Sequence, residues 1–209
     1  MKLDLTLRLI EVGAIVAFAL SGFLEAARKR MDVVGVVVVA FITAFGGGTL
    51  RDILLDRRPL VWVEHQEYVV LILALAVAGM LLLRGRHLGV TERAIQIPDA
   101  LGLGLFSVSG TSLALEAQMP MFVASLMGVI TAVFGGVMRD IICNEVPTVF
   151  RDHRPYALCS FAGCWVFLAL HLIAAPPLAA FLAGAATAAG LRLLALARGW
   201  VLPSWRDPG

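Results

Sequence analysis

Charge is what this sequence has least of. Of its 209 residues, 15% are Asp, Glu, Lys or Arg and 60% are hydrophobic, and the mean hydropathy is +0.89. Soluble domains carry about a quarter charged and roughly half apolar residues. The shortage of charge therefore excludes an ordinary soluble domain, and the near balance of charge, +2, argues against a nucleic-acid partner.

Cysteine and catalytic motifs are also scarce. The three cysteines, Cys143, Cys159 and Cys164, have neither zinc-ligand spacing nor an even number for a disulfide framework, so we interpret them as small buried apolar residues. The sequence contains no G-x-S-x-G, H-E-x-x-H or Walker phrase. We therefore predict that the protein is not an enzyme and uses no metal or other cofactor.

Long apolar stretches recur along the whole chain, and each is near the length needed to cross a bilayer. They predict an all-α integral membrane protein, a single transmembrane domain over residues 1–209 with seven transmembrane helices. The predicted spans are Leu9–Ala27, Val33–Leu50, Tyr68–Leu83, Asp99–Leu115, Pro120–Met138, Tyr156–Ala174 and Leu178–Ala197.

A charged, glycine-containing phrase occurs twice in this apolar chain, as TAFGGGTLRDILLDRRP and as TAVFGGVMRDIICNEVP, 88 positions apart. At that offset, without gaps, 12 of the 27 positions from Ile42 to Tyr68 are identical to those from Ile130 to Tyr156. Beyond this stretch Ser21-Gly22 matches Ser109-Gly110, and acidic Glu11 matches acidic Asp99. The chain is therefore internally duplicated.

The duplicated unit contains three spans. Because three is odd, the second copy is predicted to enter the membrane from the opposite side, which gives a 3+3 inverted-topology repeat plus one extra helix. Repeat one covers about 4–87, repeat two about 92–174 and the seventh helix about 178–197. An N-terminus outside and a C-terminus in the cytoplasm place eleven basic residues inside and five outside, as the positive-inside rule favours.

The glycines of the phrase, Gly46, Gly47 and Gly48 in the first copy and Gly135 and Gly136 in the second, are expected to weaken or kink the second and fifth spans, because glycine costs a helix about 1 kcal/mol against alanine. A break would expose backbone groups that can replace an ion's hydration shell. Thr43 and Thr131, one turn earlier, can add hydroxyls. Close helix packing is the alternative reading of the same glycines.

An Arg-Asp pair follows the glycines in each copy: Arg51-Asp52 and Arg139-Asp140. Ionisable groups at membrane depth usually face a cavity or each other and mark an ion or substrate route. The alternative is that these side chains lie at the interface and snorkel to water.

Other matched pairs have weaker interpretations. Asp56 and Asn144 suit turns before Pro59 and Pro147. A repeated histidine, His65 and His153, can carry a pH dependence, and Tyr68 and Tyr156 suit the membrane interface. The small polar residues at Ser21 and Ser109 either border a pathway or allow tight packing.

Seven spans in a 3+3+1 pattern, with FGGGTLRD in the second and FGGVMRD in the fifth, resemble the prokaryotic members of the trimeric intracellular cation channel family. The resemblance covers roughly residues 5–200. It implies a homotrimer in the prokaryotic plasma membrane, surrounded by lipid, with one pore per protomer for potassium and also sodium ions. It also implies that the second and fifth helices line that pore and are kinked at Gly46–Gly48 and at Gly135-Gly136. From their charge and position we predict that the Arg-Asp pairs that follow, Arg51-Asp52 and Arg139-Asp140, form the charged gate of the ion pathway.

The same bacterial domain family is also described as a transporter of small amino acids such as glycine. A secondary transporter of a small neutral amino acid is therefore the alternative function. Inverted repeats with interrupted helices occur in transporters and do not separate the two.

Overall fold

The computed structural model describes residues 2–83, 90–151 and 154–203. Within these ranges the chain forms nine α-helices: α1 Lys2–Arg28, α2 Val33–Leu54, α3 Val61–Glu64, α4 Gln66–Leu83, α5 Glu92–Glu116, α6 Met121–Ile142, α7 Thr148–Arg151, α8 Ala157–Leu172 and α9 Pro177–Arg198. Seven of them are long and cover the seven predicted apolar stretches. The other two, α3 and α7, have four residues each and occupy matching connections.

In the part of the chain that the structure describes, four helices are long and apolar enough to cross a membrane, over Ile10–Arg28, Val33–Leu54, Met121–Ile142 and Pro177–Arg198. Two shorter apolar helices cover Gln66–Leu82 and Ala157–Leu172. The protein is thus all-helical with membrane-spanning segments, as predicted. That all seven long helices span the bilayer stays a prediction.

Local side-chain chemistry sets several helix ends. The Asp32 carboxylate accepts a hydrogen bond from the Gly35 amide at 2.8 Å and so caps the start of α2. Gly199 ends α9 in the left-handed conformation, with φ of 64°. The predicted turns are confirmed, because Asp56 and Asn144 have φ of 51° and 55°, a conformation that Asp and Asn tolerate better than most residues.

The centre of the molecule is a crossing of α2 and α6. A Cβ atom added to Gly47 would lie 1.9 Å from the carbonyl oxygen of Thr131, and one added to Gly135 would lie 2.4 Å from that of Thr43. Because Thr43 meets Gly135 and Gly47 meets Thr131, the two helices run antiparallel. Glycine lets their backbones touch.

The glycines do not interrupt these helices. Both α2 and α6 are helical throughout Gly46–Gly48 and Gly135-Gly136, so the expected break with exposed backbone groups is absent here. The helix cost of glycine is small beside the packing gained at a direct backbone contact. The alternative of close packing accounts for Gly47 and Gly135.

Helices α1 and α5 also pack against each other in antiparallel fashion. A Cβ on Gly13 would meet Leu105, and one on Gly102 would meet Phe18. The rings of Phe18 and Phe106, which are matched residues of the two copies, stack with centroids 5.4 Å apart. The α1–α5 pair is thus joined at its middle by an aromatic contact.

The last helix, α9, lies outside the duplicated part and packs on α5 and α8. A Cβ on Gly163 would lie 2.6 Å from the carbonyl oxygen of Gly184. In the first half, α4 packs on α2 and α1, and among the described helices none covers it as α9 covers α8. The two halves are consequently unequal in their surroundings.

Candidate functional site

The two Arg-Asp pairs lie in the last turns of α2 and α6 and are buried. Arg51 and Asp52 are 2% and 3% exposed, and Arg139 and Asp140 are 5% and 6% exposed. The interpretation of these residues as snorkelling interfacial groups is therefore wrong. The predicted ends of the two spans, Leu50 and Met138, are four residues too early, because the charged turn finds partners and stays helical.

In the first half, Arg51 and Asp52 form an ion pair with each other. The guanidinium donates from Nε to Asp52 Oδ1 at 2.9 Å, and Nη2 lies 2.7 Å from the same oxygen. The other carboxylate oxygen accepts from the Val61 amide at the start of α3, at 3.0 Å. The remaining Arg51 nitrogen, Nη1, is buried and has no hydrogen-bond partner among the described residues.

In the second half, the equivalent pair has more partners. Arg139 donates from Nε to Asp140 Oδ1 at 2.8 Å, and Asp140 Oδ2 accepts from both the amide and the hydroxyl of Thr148, each at 2.8 Å. Arg139 Nη1 also donates to Asp99 Oδ1 at 2.7 Å and to the Ser21 hydroxyl. Each Asp pairs with the Arg of its own repeat, and Ser21 joins the second centre from the first repeat.

Asp99, on α5, completes the second centre. Its other oxygen accepts a hydrogen bond from the Tyr156 hydroxyl at 2.8 Å. Tyr156 and Tyr68 are buried, at 5% and 7% exposed, so their interpretation as interface anchors is wrong. Tyr156 is held inside because its hydroxyl finds a carboxylate.

A polar cavity adjoins each centre. The first-half cavity has a volume of about 230 Å³ and is lined by residues including Glu11, Arg51, Asp52, His65, Ser109 and Ser112. The second-half cavity has a volume of about 50 Å³ and is lined by residues including Glu25, Gln96, Asp99, Arg139, Asp140 and Arg192. Because α2 and α6 are antiparallel, the two cavities lie beyond opposite ends of their crossing.

Ion pairs surround the second-half cavity. Arg28 lies 2.8 Å from Glu25 and 3.6 Å from Glu92, and Lys29 pairs with Glu145. These contacts join the end of α1 to the start of α5 and to the segment after α6. The smaller cavity is therefore also the one whose neighbouring segments are joined by ion pairs.

Arg192 brings a buried cation from α9 to the second-half cavity. Its side chain is 1% exposed, its guanidinium carbon lies 4.7 Å from the centre of the Tyr156 ring, and its Nε and Nη1 have no hydrogen-bond partner in the described part of the chain. The face of the Tyr156 ring attracts the guanidinium in a cation–π contact, which stabilises the buried charge.

The predicted threonines and glycines divide between two environments. Thr43 and Thr131 are buried and donate to the Val39 and Met127 carbonyls of their own helices, at 2.6 and 2.7 Å. Gly48 and Gly136 instead face the charged centres, because a Cβ on either would lie 3.8 Å from the Nη2 atom of Arg51 or Arg139. Gly46 lies against the Cα of Gly135 at an ordinary contact distance, 3.7 Å for an added Cβ.

His65 is the predicted histidine that the structure describes, and His153 lies outside the described residues. The His65 ring stacks on Tyr68 with centroids 4.9 Å apart, and its Nδ1 lies 3.1 Å from Glu67 Oε1. It also lines the first-half cavity.

Three residues of the second centre were not assigned to a site from the sequence: Asp99, Tyr156 and Arg192. The duplication contained the signal for two of them, because Asp99 matches Glu11 and Tyr156 matches Tyr68. Arg192 has no such signal, since α9 is outside the repeat. Among the described residues, no group of three His, Cys, Asp or Glu side chains could hold a metal ion.

Comparison with known proteins agrees with this geometry. A family model described as "Glycine transporter" matches residues 8–84 and again residues 96–172, two segments with the same offset as the repeated phrase. An Escherichia coli K12 protein, UPF0126 inner membrane protein YadS, is 31% identical over 94% of each chain. A UPF0126 membrane protein of Vibrio cholerae is 37% identical over 78% of this chain and 68% of its own length.

Solved structures with a similar fold have been described as cation channels. The fold is similar to that of a trimeric intracellular cation channel orthologue from Rhodobacter sphaeroides, with a TM-score of 0.86 and 35% identity over 93% of this chain and 99% of that one. A second structure, reported for conductance through TRIC cation channels, gives a TM-score of 0.83 and 33% identity over 97% and 98%. These neighbours are cofactor-free ion channels and not enzymes. The chain therefore belongs to the glycine transporter (UPF0126) family of membrane proteins, and its fold is that of the prokaryotic trimeric intracellular cation channels.

Proposed function

We propose that this protein is a channel for monovalent cations, potassium and also sodium, with one pore in each protomer of a homotrimer. One observation carries the proposal. Two buried Arg-Asp centres, each beside a polar cavity, lie beyond opposite ends of a glycine-rich helix crossing, in a fold that resembles cation channels.

The path runs from one cavity to the other past the α2–α6 crossing. Asp52, Asp140 and Glu11 supply the negative potential that attracts a cation. Arg51 and Arg139 hold the carboxylates in place and act as the gate. Between the cavities, Gly47 and Gly135 hold the two backbones together. The neighbouring small residues, Gly46, Gly48 and Gly136 with Thr43 and Thr131, line the narrow part of the pore.

The proposed architecture is a pair of inverted repeats, 4–87 and 92–174, followed by the seventh helix. The antiparallel α2–α6 and α1–α5 contacts support it, and so does the excess of basic residues on one side. With seven spans the N-terminus is outside and the C-terminus in the cytoplasm. Cysteines introduced at Lys2 and Arg206 should then react with an impermeant reagent from opposite sides. Labelling of both from the same side would contradict this topology.

Single-channel recording of the purified protein in planar lipid bilayers tests the function. We expect discrete unitary currents in KCl, and under a KCl gradient a reversal potential near that of potassium rather than chloride. Replacing KCl by NaCl should retain currents. Recordings without unitary currents, from protein that is folded and incorporated at a measured density, would contradict a channel.

A carrier for a small neutral amino acid is the second candidate, because the matching family model is described as a glycine transporter. Glycine uptake into proteoliposomes, measured beside the bilayer recordings, distinguishes the two functions. Saturable glycine uptake without unitary currents would establish the carrier. Unitary potassium currents without glycine uptake would establish the channel.

A further inference from the structure

The two centres are built from matched residues but are in different states. At the 88-residue offset, Arg51 matches Arg139, Glu11 matches Asp99 and Ser109 matches Ser21. In the second half Arg139 Nη1 is bound by both Asp99 and Ser21. In the first half Arg51 Nη1 has no partner, although Glu11 and Ser109 line the same cavity.

The sizes of the cavities follow this difference. The cavity beside the fully bonded arginine has a volume of about 50 Å³, and the one beside the unpartnered nitrogen about 230 Å³. A buried guanidinium N–H without an acceptor is unfavourable. Arg51 therefore has an unsatisfied N–H donor. The cavity beside it is lined by a carboxylic acid and a hydroxyl group, Glu11 and Ser109, the two kinds of group that accept from Arg139 Nη1 in the other half.

The partners of the two arginines are carried by one pair of helices. Helix α1 holds Glu11 and Ser21, and α5 holds Asp99 and Ser109. Each helix thus contributes to both centres. Helices α1 and α5 are in contact at the stacked Phe18 and Phe106 rings, and they pack on α2 and α6, which carry the arginines.

We propose that Glu11 and Ser109 are gating residues that close the first-half cavity by binding Arg51 Nη1, and that this closure alternates with the closure of the second half. Rocking of the α1–α5 pair that brings Glu11 and Ser109 to Arg51 withdraws Ser21 and Asp99 from Arg139. The structure is then the state in which the second half is closed and the first half is open.

This exchange rests on the proposed function: the pore conducts only while neither cavity is closed, so the exchange limits how often it conducts. Its test reads accessibility instead of flux. Single cysteines at Ser112 and Gln96 report on the first-half and second-half cavities. Reaction rates with a small charged methanethiosulfonate reagent are measured on the full-length protein in detergent. Because the native Cys143, Cys159 and Cys164 are buried, the protein without an added cysteine should react little.

Ser21→Ala and Asp99→Asn each remove or weaken one of the bonds to Arg139 Nη1 that close the second half. Either change should raise the Gln96→Cys rate and lower the Ser112→Cys rate, by about tenfold each, as a coupling of usual size predicts. Adding Glu11→Gln to Ser21→Ala removes the alternative partner of Arg51. It should reverse both changes, so that Ser112→Cys reacts faster and Gln96→Cys more slowly than in Ser21→Ala alone.

Ser125→Ala is the matched control, because Ser125 is a buried serine of α6 that bonds to its own helix and is absent from the residues lining either cavity. It should change neither rate. Unchanged Gln96→Cys rates in both weakened variants, a faster Gln96→Cys reaction without slowing at Ser112→Cys, or the same response from Ser125→Ala would each overturn the proposal. A protein that fails to conduct but shows the reciprocal rates would contradict the channel and retain the exchange.

Discussion

At the scale of single residues, the buried arginines differ in how completely their nitrogens are paired. Arg139 is paired with two carboxylates and a hydroxyl. Arg51 and Arg192 are less completely paired, since both have buried nitrogens that no described residue accepts from. Breaking a buried ion pair typically costs about 3–5 kcal/mol, because the remaining charge is left buried without its partner. Stability and conduction should therefore respond differently at these arginines.

Asp52→Asn and Asp140→Asn should each lower potassium conductance and the preference for potassium over chloride. The reason is loss of negative charge beside a cavity, and we expect a decrease of at least about twofold in conductance. Both changes should also lower the melting temperature, because Arg139 loses part of its pairing and Arg51 loses the carboxylate that it binds. Unitary conductance, reversal potential and thermal unfolding are the measurements.

Asp56→Asn is the matched control for these variants. Asp56 is exposed in the turn after α2 and has a left-handed conformation that Asn also adopts. Its conductance should equal that of the parent. Equal effects from Asp56→Asn and Asp52→Asn would show that the location of the charge is unimportant, against the proposed pathway.

Arg192→Gln should raise cation conductance. The change removes a positive charge from the second-half cavity only, so we expect a current about twofold larger and a change in rectification. Because two of the Arg192 nitrogens are unpartnered, the free energy of unfolding should fall little. Arg198→Gln, at the exposed end of α9, should leave both properties unchanged, and a lower conductance in Arg192→Gln would contradict the assignment.

At the scale of helices, the α2–α6 crossing depends on two positions and tolerates change at a third. A methyl group at Gly47 has no room beside the Thr131 carbonyl, while one at Gly46 meets Gly135 at 3.7 Å. Gly47→Ala should therefore destabilise the protein by about 1–3 kcal/mol through overpacking. Gly46→Ala should be neutral or stabilising by up to about 1 kcal/mol, because alanine favours the helix.

Thermal unfolding in one detergent measures this pair of variants, with Gly135→Ala as the repeat-related counterpart of Gly47→Ala. Bilayer recording of Gly47→Leu or Gly135→Leu adds the functional side, where lower conductance or open probability is expected. Equal melting temperatures for Gly46→Ala and Gly47→Ala would contradict the close contact.

The sequence predicted the helices well and their internal geometry less well. Apolar length identified the seven long helices, and the turns at Asp56 and Asn144 followed from residue type. The predicted break in α2 and α6 is not seen. It could not be told from close packing, because a glycine that weakens a helix and one that admits a neighbouring backbone look the same in sequence. The ends of α2 and α6 were missed because hydropathy counts Arg51 and Arg139 as polar, whereas their partners allow burial.

The duplicated charged motif indicated the two Arg-Asp pairs, whose role in an ion pathway stays a prediction, whereas their partners on distant helices were missed. The two Arg-Asp pairs were identified directly. Tyr156 was assigned to the interface because its hydroxyl partner, Asp99, lies 57 positions away. Ser21 reaches Arg139 across 118 positions, a contact that a pattern of spacing cannot encode.

For the whole molecule, the outer faces indicate what surrounds it. Helix α4 exposes a series of large apolar side chains, namely Val70, Leu73, Leu75, Val77, Leu81 and Leu82. Apolar surface of this kind is covered by lipid or by other protomers. We expect a trimer, and native mass spectrometry from a mild detergent should give three times the protomer mass of 22.3 kDa. Monomers or dimers alone, across several detergents, would contradict the assembly.

The backbone contact between α2 and α6 has a mechanical consequence. Where glycine meets a peptide carbonyl, no side chains interlock, so the helices can turn about the contact more easily than they can slide along it. Arg51 and Arg139 lie four residues beyond the contact glycines of their helices, on opposite sides of the crossing. At a rise of 1.5 Å per residue, each is about 6 Å from the contact. A turn of the helices by about ten degrees about this crossing then moves Arg51 and Arg139 by about 1 Å each. That distance is enough to make one hydrogen bond while breaking another.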